Sequence, residues 1–324
     1  MSMLLRVAAV SAAWVALAGS GSLMAQPYPS KPIRGVVPFA PGSATDQSAR
    51  AFGAKMAEHL GQPIVVENKP GANGMIGADA VAKAPPDGYT ILFGTNSTNA
   101  ALKSLMKKLP YDQDTAFTPV AFMGAVPLIV AVNNDFSVKT LADLVALAKA
   151  KPGAITFATA STSQRISSEM FASMAGIRMT HVPYKSSPNA ITDLIGGQVN
   201  MFTADFAVML PQVQAGRVRA LAVTAARRSP LLPNLPTVNE AAGLKDYELI
   251  AFFAAYAPAG TPRDAVQKLN EAINAAARSK EIVDRFSVIG MELAPGTPED
   301  LGQRTARETV KWAKAIREAG IEPE

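Results

Sequence analysis

The chain has 324 residues, no cysteine, two histidines and a formal net charge of +5. That length is enough for about two domains, and the missing thiols exclude disulfides, cysteine-held metals and a lipid-bearing cysteine anchor. The basic balance does not make a nucleic-acid surface: Lys and Arg are scattered, Arg227-Arg228 is the one notable cluster, and aromatics are only 6%.

Residues 1–25 read as an export signal. Residues 1–6 give a short positive start, 7–19 an apolar stretch too short to span a bilayer comfortably, and Ala25 a small residue at the cleavage point. The expectation is a protein released into the periplasm. No later apolar run reaches spanning length.

Beyond the signal, strand-length apolar runs alternate with helical patterns. Strands are predicted at 33–39, 64–67, 90–93, 126–132, 155–159, 179–182, 199–203 and 218–223. Helices are predicted between them at 45–60, 75–84, 140–150, 163–175 and 190–196. This alternation predicts an α/β protein with largely parallel sheets, each flanked by helices. After Ala257-Pro258-Ala259-Gly260-Thr261-Pro262 the pattern becomes wholly helical, at 263–278, 280–287 and 298–319. Residues 117–132, interrupted by Gly124 and Pro127, and the Pro-rich 230–236 are expected to be two hinge crossings between lobes. Lobe 1 would then be 26–124 plus 227–324, and lobe 2 would be 125–226.

The join after the first strand, Phe39-Ala40-Pro41-Gly42-Ser43-Ala44-Thr45-Asp46, is the most informative local feature. A helix starts with main-chain N–H groups that no helical carbonyl accepts, and its dipole makes that end mildly positive, so an anion docks there without a basic side chain. The alternative is that Ser43 or Thr45 caps its own helix, with Asp46 answering as in a capping box. The same grammar recurs after 155–159, where Ser161-Thr162-Ser163-Gln164-Arg165 opens a helix in the other expected lobe. Both joins follow strand carboxyl ends, where open α/β sheets bind ligands. Arg165 opposes the dipole of its own helix, which suits a guanidinium that grips a carboxylate; an exposed, solvated arginine is the other reading.

Catalytic signatures fail on spacing or company. Gly71-Ala72-Asn73-Gly74-Met75-Ile76-Gly77 runs G-x-x-G-x-x-G, lies apart from its strand, and reads as a turn that caps the next helix. No phosphate-cradling loop or nucleophile elbow occurs, and Ser104-Leu105-Met106-Lys107 lacks the motifs that accompany S-x-x-K catalysis. His59 and His181 are too few for a zinc site, and Asp112-Gln113-Asp114 lacks the rest of a calcium loop. The expectation is no enzyme, no cofactor and no metal.

Many segments in order resemble one family. They include Tyr28-Pro29-Ser30-Lys31-Pro32-Ile33, Val66-Glu67-Asn68-Lys69-Pro70-Gly71-Ala72-Asn73-Gly74 and Pro86-Asp87-Gly88-Tyr89-Thr90. Further on come His181-Val182-Pro183-Tyr184-Lys185, Gly196-Gly197-Gln198-Val199 and Gly216-Arg217-Val218-Arg219-Ala220-Leu221-Ala222-Val223-Thr224. Together they are similar to the receptors of tripartite tricarboxylate transporters, the TctC or Bug family. The resemblance implies a two-lobed periplasmic binding protein, type II-like, that closes on a carboxylate and delivers it, as a monomer, to a TctA/TctB-type membrane permease; presentation to a membrane signalling sensor is the alternative. It implies ligand contacts at Phe39, Pro41, Gly42, Ser43, Ala44, Thr45 and Asp46, at Asn96 and Ser97, at Ser161, Thr162, Ser163, Gln164 and Arg165, and at Asp205.

Departures from the family pattern bear on specificity. Ser43 stands where Gly is usual, Arg165 where His is common and Phe252 where Trp is usual, and the 160–165 loop is shorter. These changes add a hydroxyl and a cation but no partner for an ammonium, which points to a dicarboxylate rather than an amino acid. An aromatic diacid such as terephthalate is the leading expectation, with adipate and citrate-like acids as alternatives.

Overall fold

The computed structural model describes residues 28–323, so the expected export signal lies outside it. Nine strands occur in it: β1 (Ile33–Val37), β2 (Ile64–Asn68), β3 (Thr90–Thr95), β4 (Phe117–Asn133), β5 (Thr156–Thr159), β6 (Thr180–Pro183), β7 (Met201–Asp205), β8 (Val218–Val223) and β9 (Ile250–Pro258). The helices are α1 (Ala44–Leu60), α2 (Met75–Ala82), α3 (Leu102–Leu105), α4 (Leu141–Ala150), α5 (Thr162–Ala175), α6 (Ser187–Ile195), α7 (Phe206–Gln214), α8 (Val238–Ala242), α9 (Arg263–Arg278), α10 (Lys280–Ser287) and α11 (Pro298–Glu318). The Gly71–Gly77 run forms a short 3-10 turn that leads into α2, in line with the capping reading.

One strand joins the two lobes. Along 117–127, β4 pairs antiparallel with β9 and completes the lobe 1 order β2-β1-β3-β9-β4. From Leu128 onward the same strand pairs with β7 and β8, and lobe 2 continues through β5 to β6. Within each lobe the βαβ units are parallel, as expected, whereas the crossing strands β4 and β9 run antiparallel. The sheets are therefore mixed rather than largely parallel.

β9 is missing from the predicted strands, although 250–257 is an unbroken apolar run of strand length. Its residues, Ile-Ala-Phe-Phe-Ala-Ala-Tyr-Ala-Pro, lie between β3 and β4 with both faces covered, so no polar alternation marks it. Across β4, Gly124 is required by close approach: a Cβ there would lie 2.6 Å from Met291 Cε and 2.9 Å from the Glu292 carbonyl. That contact lets Ala125 exchange main-chain hydrogen bonds of 3.0 and 2.8 Å with Glu292.

Beyond β8, the chain expected to lie in lobe 1 first adds to lobe 2. Val238 and Tyr247 are buried in the core that holds Val130, Leu144, Phe157 and Leu221, and Tyr247 Oη lies 2.7 Å from Ser167 Oγ. The return to lobe 1 comes at β9. The three C-terminal helices then pack back on lobe 1: Phe52 of α1 meets Phe286 of α10 at 5.7 Å between ring centres, and Asn270 of α9 donates to the Val120 carbonyl at 2.8 Å.

All chain crossings meet at Thr224, which is wholly buried. Its hydroxyl donates to the Leu249 carbonyl at 2.6 Å and accepts the Leu128 N–H at 2.8 Å; its main chain bonds the same two residues at 3.0 Å each.

The turn into α1 is locked by a second node. Gly42 takes φ +79°, a conformation that suits glycine, and Ser43 Oγ accepts the Asp46 N–H at 3.2 Å. Asp46 Oδ2 accepts the Gly42 N–H at 2.9 Å, and its Oδ1 accepts from Arg50 Nε at 3.0 Å and Asn68 Nδ2 at 2.9 Å. Burial raises the Asp46 pKa, but the bonds from Arg50, Gly42 and Asn68 outweigh it and hold the carboxyl below its ordinary value.

Two outcomes follow from these nodes. Thr224→Val, which keeps the shape but removes two buried hydrogen bonds, should destabilise the protein by about 1–3 kcal/mol in urea unfolding; an unchanged midpoint would remove Thr224 as the staple of the crossings. Because the folded pKa of Asp46 lies below the unfolded one, its stabilisation is present above the unfolded value and fades as pH falls through the folded one. Asp46→Asn should therefore cost about 1–3 kcal/mol at neutral pH, with the gap to the parent closing below about pH 4.

Candidate ligand-binding cleft

A cavity of about 30 Å³ lies where the carboxyl ends of β1 and β3 in lobe 1 face those of β5 and β7 in lobe 2. Three helix starts surround it, those of α1, α5 and α6, each capped by a serine: Ser43, Ser161 and Ser186. Capping engages only part of each set of amides. Among the described residues, the N–H groups of Ala44, Thr45 and Ser187 make no hydrogen bond, and all three residues line the cavity. Such amides favour an anion.

The lobes also touch directly across the cleft. Ser163 donates its N–H to Ser97 Oγ at 3.2 Å, and the two hydroxyls lie 3.3 Å apart. Ser97 sits in a π-helical turn, Ser97–Ala101, that follows β3. Gln164 braces the lobe 2 side: its Oε1 accepts the Ala160 N–H at 2.7 Å, while its Nε2 donates to Ser187 Oγ at 3.0 Å and approaches Asp205 Oδ2 at 3.4 Å.

Buried polar groups occupy the base. Asn96 is wholly buried, donates through Nδ2 to the Ile250 carbonyl at 3.2 Å, and leaves Oδ1 without a partner among the described residues. Thr95 Oγ1 is likewise buried and unpartnered. Burial pushes the Asp205 carboxyl well above its ordinary pKa, against the opposing bonds from its own main chain and from Gln164.

Of the residues expected at the site, Phe39, Ser43, Ala44, Thr45, Asn96 and Ser97 line the cavity from lobe 1, and Ser161, Ser163, Gln164 and Asp205 from lobe 2. Five others do not line it. Pro41 and Gly42 are exposed at the turn, and Asp46 is engaged beneath it. Thr162 is buried within α5. Arg165, half-buried one residue past Gln164, acts electrostatically on Glu169 a turn further along, whose carboxyl is raised by burial and lowered by the guanidinium.

Sequence reasoning missed the third helix start and its neighbour. Lys185, Ser186 and Ser187 line the cavity, and Lys185 is the one cationic side chain among the described residues that does so. The signal was present: Ser186-Ser187-Pro188 follows a predicted strand and repeats the hydroxyl-rich grammar, with proline in the first turn. Ala251 and Phe253 also line the cavity, while Phe252 points the other way, into a core contact with Phe122 at 5.9 Å between ring centres. His181 is a strand residue, with Nε2 2.7 Å from Thr159 Oγ1 and its ring stacked on Phe157.

Comparison with known proteins places this geometry in a family. The model described as "Tripartite tricarboxylate transporter family receptor" matches residues 48–321. Rpa4515 of R. palustris, solved with adipate, is 36% identical with a TM-score of 0.88, over 92% of this chain and 100% of that one. The periplasmic binding protein BugD is 33% identical with a TM-score of 0.87, over 92% and 100%. MatC of Rhodopseudomonas palustris, solved with bound malate, is 32% identical with a TM-score of 0.85, over 89% and 100%. A two-lobed α/β receptor whose helix starts converge on one interlobe cavity, the chain belongs to the TctC family of tripartite tricarboxylate transporter receptors.

Proposed function

We propose that the chain is a periplasmic receptor that captures a dicarboxylate by lobe closure and delivers it, as a monomer and without turnover, to a membrane permease of the TctA/TctB type. One observation carries this reading: the unengaged N–H groups of Ala44, Thr45 and Ser187 line one interlobe cavity together with Lys185. The first carboxylate is held by the α1 and α6 amides. The second lies toward the exposed Lys185, which takes the role that the sequence suggested for Arg165. The adipate and malate in Rpa4515 and MatC support this ligand class.

An apolar cavity of about 150 Å³ takes a benzene ring, whereas this one, at about 30 Å³, has room for little more than water, so any diacid enters only when the lobes part. An aromatic diacid therefore requires the lobes to part further than a short aliphatic chain does.

A thermal-shift screen with succinate, malate, adipate, terephthalate and benzoate tests the reading. A dicarboxylate at about 100 times its Kd stabilises by about 2.7 kcal/mol, and the expected order places aliphatic diacids above terephthalate and benzoate. No shift with any carboxylate would overturn the proposal. Lys185→Ala should weaken the best diacid by about 0.5–1 kcal/mol, the scale of an exposed charge pair, and Arg165→Ala by less. The reverse order, measured by calorimetry, would return the second anchor to Arg165.

A further inference from the structure

The crossing strands have a second face. Along β9, Ala251 and Phe253 line the ligand cavity, so Ile250 points to the opposite side, with its β4 partner Pro127 and with Ala125, the partner of Phe252. A groove of about 580 Å³ lies there, behind the pivot. One wall is the end of α10 and the turn after it, 287–292, tied to lobe 1 by the bonds between Ala125 and Glu292. The other wall is 225–231, which follows Thr224 and rides with lobe 2: the Val223 N–H donates to the Pro236 carbonyl at 2.9 Å, and Val238 lies in the lobe 2 core.

Cleft and groove change in opposite directions. The crossing strands lie between them, so a rotation that parts the lobes at the cleft brings the rear walls together. The cleft stands nearly shut, at about 30 Å³, and the groove stands open. At one end the rear walls already touch. A Cβ on Gly290 would lie 3.4 Å from Leu231 Cδ1 and 3.5 Å from Phe206 Cδ1, both carried by lobe 2. Close-packed side chains resist further compression.

We propose that this rear contact limits how far the lobes part, which makes Gly290, Leu231 and the lining of the groove determinants of guest size. This rests on the closure reading above and names residues outside the cleft that decide which diacids it admits. A longer or broader guest holds the lobes wider and the groove narrower. Bulk added behind the pivot therefore penalises a large guest more than a short one, without touching either.

Calorimetry with succinate, adipate and terephthalate on the parent protein, Ala226→Trp and Ser287→Trp tests this. Both positions are exposed, on opposite walls of the groove and outside the cleft. The affinity ratio is read between the shortest and the largest acid that the parent binds. In each tryptophan variant it should shift toward the shorter acid by about tenfold, the scale of overpacking. Leu231→Ala, which removes the rear contact, should move the ratio the other way. Unchanged ratios in the tryptophan variants would overturn the proposal and leave the receptor reading standing; so would a single bound acid whose affinity no variant changes. Equal weakening of all the acids would report general damage instead of a stop, and a shift toward the larger acid would mean that the groove widens as the cleft opens. Either result overturns the proposal. Binding of no carboxylate to the parent would overturn both readings. If neither tryptophan variant folds, Leu231→Ala decides on the same ratio.

Discussion

A main-chain amide in the first turn of a helix has no partner inside that helix, and the cleft depends on this constraint. Ser43, Ser161 and Ser186 each cap one such turn, yet Ala44, Thr45 and Ser187 keep amides that nothing among the described residues accepts. Three dipole ends meeting at one place repel one another unless negative charge lies between them. The architecture of both lobes, with strands ending beside helix starts, brings about that meeting.

The remaining side chains hold those turns in place. Asp46 is saturated by Gly42, Arg50 and Asn68, so it fixes the angle at which β1 gives way to α1. Gln164 performs the equivalent task in lobe 2, where one amide group reaches the loop before α5, the first residue of α6 and the end of β7. The acidic residue at the first join thus positions the amides, whereas the acidic residue at β7 lies in the cavity itself.

Much of this was legible in the sequence, and the misses have physical causes. The hydroxyl-rich starts at 43–45 and 161–163 were visible because capping chemistry is local. Arg165 lies outside the cavity lining because each residue of a helix turns about 100° from the last: Ser163 and Gln164 face the cleft, and the next side chain has rotated away. Lys185 and the α6 start escaped notice because the helix was read from its first apolar residue, Ala190, rather than from its cap. β9 was missed although it is an unbroken apolar run, because such a run lacks a period that separates a buried strand from a buried helix. The neighbourhood of Asn96, Asp205 and Phe253 is a product of tertiary pairing among β3, β4, β7 and β9, which no local pattern encodes.

The staple at Thr224 gives the cleft an uneven stiffness. Leu128, one of its two partners, is the residue that pairs with Asp205, so the base of the cavity lies almost on the pivot, whereas Lys185 stands at the rim. Rotation about that pivot moves a point in proportion to its lever arm. On the proposed closure the base would hardly move and would act as a fixed gauge, whereas the rim would swing as an adjustable jaw.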